Sequence, residues 1–368
     1  MRKKNTLIVI SPAFPENEAA TWWVPSQQLL VKTLKARFPL LHIEVLAIFY
    51  PYAKCSYEWN GVSVTSFDGN HRRKFRRPAL WRDITNKLKQ ICRDNPVIGL
   101  LSFWCGEGAF LSNRFAKKNS LPHFIWICGQ DARKTNRWVK WIHPDAGQLM
   151  AMSPSLAEEF SKSHGIRPTH IVHNAIDPSV FPQPPGVKDI DILAVGSFEP
   201  LKQYDLFIEI ISSIQAKRPL LQAFHCGIGK EQGKIERLIG KYGLQQTVRL
   251  LGGKPQADVL ALMQRTKLFL HPSNYEGFST VCLEALYAGA EVISFCYPLD
   301  GPVPHWHVVK TTDEMTKKAL ELLHTGAPVH PGTLLYTMEE SADRIMKLFD
   351  PQKEEEKEIV INHPELTT

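Results

Sequence analysis

Long apolar runs are what this sequence lacks first. Among its 368 residues none approaches the roughly 18–20 uninterrupted apolar positions of a membrane-spanning helix. The apolar stretch Leu7–Ile10 is followed closely by Pro12, and it is too short for the apolar segment of a secretory leader as well. Paired cysteines are also missing. Cys55, Cys92, Cys105, Cys128, Cys226, Cys282 and Cys296 are odd in number and scattered, with no Cys-x-x-Cys. That spacing excludes a zinc ribbon or a redox couple and offers no even disulfide framework. Reduced thiols in a cytoplasmic protein are the expectation. No low-complexity body is present, and 43% hydrophobic with 22% charged residues is the balance of a globular protein rather than a disordered or fibrous one.

What is there begins with length, since 368 residues suffice for two domains with real cores. The net charge of +7 hides an asymmetry. Residues 1–180 hold 25 Lys and Arg against 13 Asp and Glu, whereas the remainder holds 19 against 24. The basic run His71-Arg72-Arg73-Lys74-Phe75-Arg76-Arg77 leads into an expected helix, Ala79–Cys92, with Arg82, Lys87 and Lys89 beside Trp81, Ile84, Leu88 and Ile91. This mixture suits an anionic surface, either lipid headgroups or a phosphorylated acceptor. A merely solvated basic loop and helix is the alternative. No nucleic-acid-binding module is present, so nucleic acid is not an expected partner.

Short β-branched runs alternate twice with segments of helical period, which predicts α/β architecture: two doubly wound, Rossmann-like domains with parallel sheets. The first set of strands is expected at Leu7–Ile10, Ile43–Ile48, Val97–Phe103, Phe124–Ile127, Leu149–Met152 and His170–Val172, with helices such as Pro25–Arg37 and Glu107–Lys118 between them. The Pro-rich stretch Asp177–Gly186 continues neither helix nor strand and reads as a linker. After it, strands at Asp191–Val195, Leu220–Cys226, Val248–Leu251, Leu268–His271 and Glu291–Phe295 alternate with helices at Tyr204–Ala216, Glu231–Lys241, Gln256–Gln264 and Thr280–Ala288. The expected division is a first domain at 1–181, a second at 187–331, a C-terminal helix at 332–350 packing back on the first domain, and a charged, solvated tail at 351–368. Ligands of such sheets bind at strand carboxyl ends, which would face one cleft.

The most informative segment is Asn274–Leu286, preceded by Pro272-Ser273 and running from a strand into a helix. Gly277 permits close backbone approach to a ligand, Ser279 or Thr280 suits an N-cap, and the first-turn N–H groups of Thr280 and Val281 suit an anion such as a diphosphate. Glu276 and Glu284 then stand several ångströms apart along one ligand, as two acceptors for sugar hydroxyls. The bland reading makes Glu276 a turn residue and Glu284 a surface helix residue.

In this context, Pro-Ser-x-x-Glu-Gly-Phe followed by Leu-Glu-Ala, the chain resembles the group 1 retaining glycosyltransferases of the GT-B fold, family 4-like. The resemblance covers about residues 95–350 and implies that Glu276 approaches the donor sugar and Glu284 binds the nucleotide ribose. Val195-Gly196-Ser197-Phe198-Glu199-Pro200-Leu201-Lys202 resembles the loop whose lysine holds the diphosphate, which assigns that role to Lys202. A lysine beside a pyrophosphate also makes sense as a mobile point charge. Cys226-Gly227-Ile228-Gly229, Val248–Gly252, Met152–Leu156 and Val172–Asp177 fit further landmarks. Implied donor-site residues are thus Gly196, Ser197, Lys202, Gly227, Glu276, Gly277, Phe278, Ser279, Thr280, Val281 and Glu284, with Glu276 and Lys202 carrying the chemistry.

The pattern also has departures. Ser197 stands where family members carry an arginine, Cys128-Gly129-Gln130-Asp131 stands where they carry a His-Gly-x-Asp, and Pro12–Glu18 replaces a Gly-Gly loop. Acceptor-side candidates are Glu18, Cys128 and Asp131. The family generally transfers sugar without a bound divalent ion, so no metal or other cofactor is expected. His305 and His307 flank Trp306 without further ligands nearby in sequence, and read as a loop packing Trp306. The function implied is transfer of a sugar from a nucleotide diphosphate donor to a glycan or lipid-linked acceptor, in the cytoplasm or at the inner membrane face. A donor-binding partner protein without transfer activity is the rival, and a sugar-nucleotide epimerase stands behind it.

Overall fold

The computed structural model describes residues 5–71, 77–184, 186–326 and 330–349. The centre of the basic run (72–76) and the expected charged tail (351–368) lie outside the described residues. The first sheet contains β1 (Thr6–Ala13), β2 (His42–Tyr50), β3 (Lys54–Trp59), β4 (Val62–Phe67), β5 (Val97–Phe103), β6 (His123–Ile127), β7 (Leu149–Ala151) and β8 (His170–Ile171). Their order is β3-β4-β2-β1-β5-β6-β7-β8, parallel except for the β3–β4 hairpin. Leu7, Ile8, Val9 and Ile10 of β1 are at most 1% exposed, as expected for a central parallel strand covered on both faces.

Helices α1 (Pro25–Arg37), α2 (Arg77–Asp94), α3 (Glu107–Asn119), α4 (Trp138–Ile142) and α5 (Pro154–His164) belong to this half. The apolar spacing of α2 decides its buried face: Leu80, Ile84, Leu88 and Ile91 are buried, while Arg82, Lys89 and Arg93 are exposed. Ser153 caps α5 by accepting from Leu156 N at 3.1 Å, Pro154 takes the first helical position, and Gly165 ends the helix at φ 73°. The hairpin is not among the strands expected from the sequence. Its two-residue turn is Asn60-Gly61, both at positive φ (47° and 71°), the strongest short hairpin signal a sequence carries.

The second sheet is parallel, in the order β11-β10-β9-β12-β13-β14: β9 (Ile190–Val195), β10 (Ala223–Cys226), β11 (Val248–Leu250), β12 (Thr266–His271), β13 (Glu291–Ser294) and β14 (Trp306–Val308). Between them run α6 (Tyr204–Gln215), α7 (Gln232–Lys241), α8 (Gln256–Gln264) and α9 (Thr280–Tyr287), and α10 (Thr312–His324) follows β14. The Pro-rich stretch is anchored rather than free, since Phe181 is buried with its ring edge-on to Tyr287 at 4.6 Å. The last helix, α11 (Met338–Phe349), lies on the first half of the chain. Arg37 of α1 meets Asp343 with two bonds of 2.8 and 2.7 Å, and Phe349 packs edge-on to Phe124.

Candidate functional site

β9 and β12 are neighbours, yet the chain leaves them toward opposite sides: β10 and β11 are added beyond β9, and β13 and β14 beyond β12. Such a reversal opens a crevice at the strand carboxyl ends. Two loops meet there, one after β9 bearing Lys202 and one after β12 bearing Glu276. Lys202 Nζ lies 2.6 Å from Glu276 Oε1. His271, the last residue of β12, brings Nε2 to 2.7 Å from the same oxygen. Burial by itself raises the Glu276 carboxyl, but the bond and charge of His271, then those of Lys202, outweigh it and hold the group at about 2. Glu276 is therefore an anion throughout the neutral range.

Glu284 sits inside α9 and accepts from Gln256 Nε2 at 3.1 Å. Burial pushes its carboxyl up to about 7, and the Gln256 bond opposes this only in part. One cavity of about 210 Å³ joins these groups, with Pro25, Ser26 and Leu29 of α1 facing Lys202, Glu276 and Glu284. Phe278, Ser279, Thr280 and Val281 complete the second domain's wall, so the positive end of α9 lies at the cavity. A hydroxyl-bearing anion fits this arrangement: a lysine and the positive helix end for its charge, two carboxylates for its hydroxyls, although the Thr280 N–H is already bonded to Phe278 O at 3.0 Å. The volume is below the 300–1,000 Å³ usual for whole ligands, so the enclosed space takes part of such a ligand.

The expected side-chain N-cap is not formed. Ser279 Oγ instead meets Cys282 Sγ at 3.0 Å, and Thr280 Oγ1 accepts from Asn174 Nδ2 at 2.6 Å, which ties the helix start to the first domain. Gly277 has a reason other than ligand approach: a Cβ there would lie 2.5 Å from Gly129 Cα and 2.7 Å from the Cys128 carbonyl oxygen. The two domains touch backbone to backbone at this point. Ser153 Oγ donates to Gly277 O at 3.0 Å and the Tyr275 hydroxyl to Gly129 O at 2.9 Å, with Arg133 stacked 4.0 Å above the Tyr275 ring.

Other expected residues stand outside the cavity lining. Gly196 and Gly227 pack two loops together: a Cβ on Gly196 would strike the Tyr204 hydroxyl, and one on Gly227 would overlap Gly196 O. Ser197 is exposed. Glu18 is exposed and accepts from Asn60 N at 2.9 Å, bracing the hairpin turn. Asp131, the third acceptor-side candidate, has its carboxylate engaged by the backbone N–H groups of Cys105 (2.8 Å), Cys128 (3.1 Å) and Gly129 (2.8 Å). Burial, only partly offset by those N–H groups, puts it at about 6. The Cys128 thiol is raised by burial and by Asp131, and donates to Trp126 O at 3.2 Å. An Asp-x-Asp sequence does occur, Asp189-Ile190-Asp191, at the start of β9. Its carboxylates pair with Arg265 (2.5 Å) and Lys267 (2.8 Å), at the strand end away from the cleft.

His271 and Gln256 are the residues that reading the sequence alone missed. A histidine closing the apolar run Leu268–His271 directly before the Glu276 loop was the available signal for the first. Gln256 had none, since the fold alone brings it to Glu284.

Comparison with known proteins adds to this geometry. Residues 177–299 match the family model of glycosyl transferases, group 1. The chain is 28% identical over 203 residues to the phosphatidylinositol N-acetylglucosaminyltransferase gpi3 subunit of Schizosaccharomyces pombe, covering 53% of this chain and 44% of that one. It spans about half the length, or less, of the curated relatives it matches first. Sucrose-phosphate synthase from Thermosynechococcus elongatus superposes with a TM-score of 0.67 at 14% identity, over 98% of this chain and 100% of that one. Anabaena HepE in complex with UDP and glucose superposes with 0.64 at 13% identity, over 96% and 99%. The fold is GT-B, two Rossmann-like domains facing a cleft.

Proposed function

We propose that this chain is a retaining glycosyltransferase that moves a sugar from a nucleotide diphosphate donor to a glycan or lipid-linked acceptor. The observation that carries it is the convergence of Lys202, Glu276 and Glu284 with the start of α9 on one interdomain cavity. In this reading Glu284, oriented by Gln256, accepts the ribose hydroxyls, and Lys202 with the first turn of α9 takes the diphosphate. Glu276, kept ionised, accepts from the donor sugar. As the bond from sugar to phosphate breaks, negative charge grows on the diphosphate beside Lys202 and the positive end of α9, and such preorganised charge lowers the barrier. Transfer needs no nucleophile from the chain in this scheme. Retention rests on the resemblance to the group 1 retaining enzymes.

A lipid-linked acceptor at an anionic membrane surface is supported by the exposed Arg82, Lys89 and Arg93 on α2 and by the name of the yeast relative, a transferase acting on phosphatidylinositol. No helix among the described residues is long and apolar enough to cross a membrane, and a peripheral site at the cytoplasmic face is part of this proposal. A second reading has one observation in its favour. Among the described residues lining the cavity Lys202 is the sole cation, and Glu276 already pairs with it. This leaves less charge for a leaving diphosphate and suits a protein that binds donor without transferring it. A thermal-shift screen across uridine, guanosine and adenosine diphosphates and their sugars identifies the donor, since a ligand of the native state raises Tm. No rise with any of them removes both readings.

A further inference from the structure

Away from the cleft, at the amino ends of β13 and β14, four side chains converge. Glu291 opens β13, His305 precedes β14 and His307 lies within it. Glu291 Oε1 is 2.8 Å from His305 Nδ1 and Oε2 is 2.7 Å from His307 Nε2. The third imidazole arrives from far along the chain: His330, on the segment leading to α11, stacks on His305 with centroids 3.6 Å apart and 5° between planes. His330 is 8% exposed. Its Nδ1 stands 3.0 Å from the Pro331 carbonyl oxygen, a contact that requires the proton on Nδ1. In that tautomer of the neutral ring Nε2 carries the lone pair, and Nε2 is buried without a hydrogen-bond partner. A buried acceptor with no donor is costly. An imidazole whose Nδ1–H is fixed by a backbone carbonyl while Nε2 stays open is the arrangement found around metal-ligating histidines.

We propose that Glu291, His305 and His330 form a site for a divalent transition-metal ion of the zinc type, with His307 orienting Glu291 through its second oxygen. Two imidazoles and one carboxylate are a nitrogen and oxygen set that suits such an ion, leaving a fourth position for water. The candidate ligand atoms of the three residues already lie within 4.8 Å of one another. Around a tetrahedral ion with bonds near 2.0–2.1 Å, ligand atoms stand roughly 3.3 Å apart. The Glu291 to His305 pair is within that spacing, and the stacked rings of His305 and His330 must tilt from parallel to convergent. The ion would not touch the reacting atoms, which lie at the carboxyl ends of β9 and β12. It would pin the connection to α11, which is also held to α9 by Thr333 N on Leu286 O at 3.2 Å, and so stiffen the link between the helix bearing Glu284 and the first domain.

The test uses the full chain, free of any affinity tag and stripped by a chelator, titrated with Co²⁺ and then Zn²⁺. Uptake of one Co²⁺ per chain with the intense visible absorption of a tetrahedral site, displacement by Zn²⁺, and a Zn²⁺-dependent rise in Tm are expected. His330→Ala is expected to lose all three. If that variant does not fold, His305→Gln is read in the same way. No uptake by the parent chain, or unchanged uptake by the variant that folds, overturns the assignment. Because the readout is metal content, it is independent of whether sugar transfer occurs.

Discussion

Lys202 and His271 reach the same atom, Glu276 Oε1, at 2.6 and 2.7 Å. One cation comes from the loop after β9 and the other group from the end of β12, so the two strands flanking the topological switch are joined through a single carboxylate. Under the proposed function, a diphosphate arriving at Lys202 would compete with Glu276 for its ammonium, which would link donor binding to the freedom of Glu276 to meet the sugar.

Acid stability follows from that carboxylate. Its pKa of about 2 in the folded chain is below the unfolded value near 4.3. The stabilisation is therefore present above about pH 4.3 and is lost as pH falls toward 2, an effect of about 3 kcal/mol. Urea unfolding between pH 2.5 and 7 should show a shallower pH dependence for Glu276→Gln than for the parent. Parallel curves would contradict the ion-pair account.

Glu284 predicts the opposite sign. Its carboxyl at about 7 is above the unfolded value, so the folded chain retains the proton and loses stability as pH rises from about 4.3 to 7. The ionised form is the better acceptor of ribose hydroxyls. Nucleotide affinity should rise roughly tenfold between pH 6 and 8 as that form becomes dominant, whereas Glu284→Gln should bind more weakly with a flat profile. Calorimetric titration at several pH values checks both, and a flat profile in the parent chain refutes the assignment.

Gly277→Ala tests the backbone contact between domains. The added methyl would sit 2.5 Å from Gly129 Cα and 2.7 Å from Cys128 O, which are backbone atoms with no flexible side chain to yield. A loss of about 1–3 kcal/mol is expected, together with a larger radius of gyration by small-angle scattering as the cleft is wedged open. A variant with parent-like Tm and dimensions would remove this contact from the account.

The basic face of α2 is tested by vesicle sedimentation. Each basic residue near an anionic surface contributes about 1 kcal/mol, so reversing Arg82, Lys89 and Arg93 to glutamate should cut recovery with anionic vesicles at least about tenfold. Equal recovery of the parent chain with neutral and anionic vesicles argues against a membrane acceptor.

The second domain was the more legible half. Its central strands β9, β12 and β13 are short, mostly buried apolar runs, and the segment from Pro272 to Leu286 is contiguous, so spacing along the chain carries its geometry. The Lys54–Phe67 hairpin is signalled in the sequence by Asn60-Gly61 alone, because exposed β3 shows no apolar run. The engagement of Asp131 is not legible in the sequence for a physical reason: a short carboxylate beside a glycine turn satisfies neighbouring backbone N–H groups, which spacing alone does not reveal. His271 to Glu276, Gln256 to Glu284 and His330 to His305 are contacts between separate elements. Only the fold supplies them.

The most direct measurement is release of nucleoside diphosphate from a panel of nucleotide sugars by the parent chain, Lys202→Ala and Glu276→Gln, each first shown to be folded by circular dichroism. The proposed function predicts release from one donor by the parent and a loss of about a hundredfold or more in both variants, as when preorganised charge is removed from a transition state. No release from a donor that the parent binds, or release that both variants retain, would contradict it.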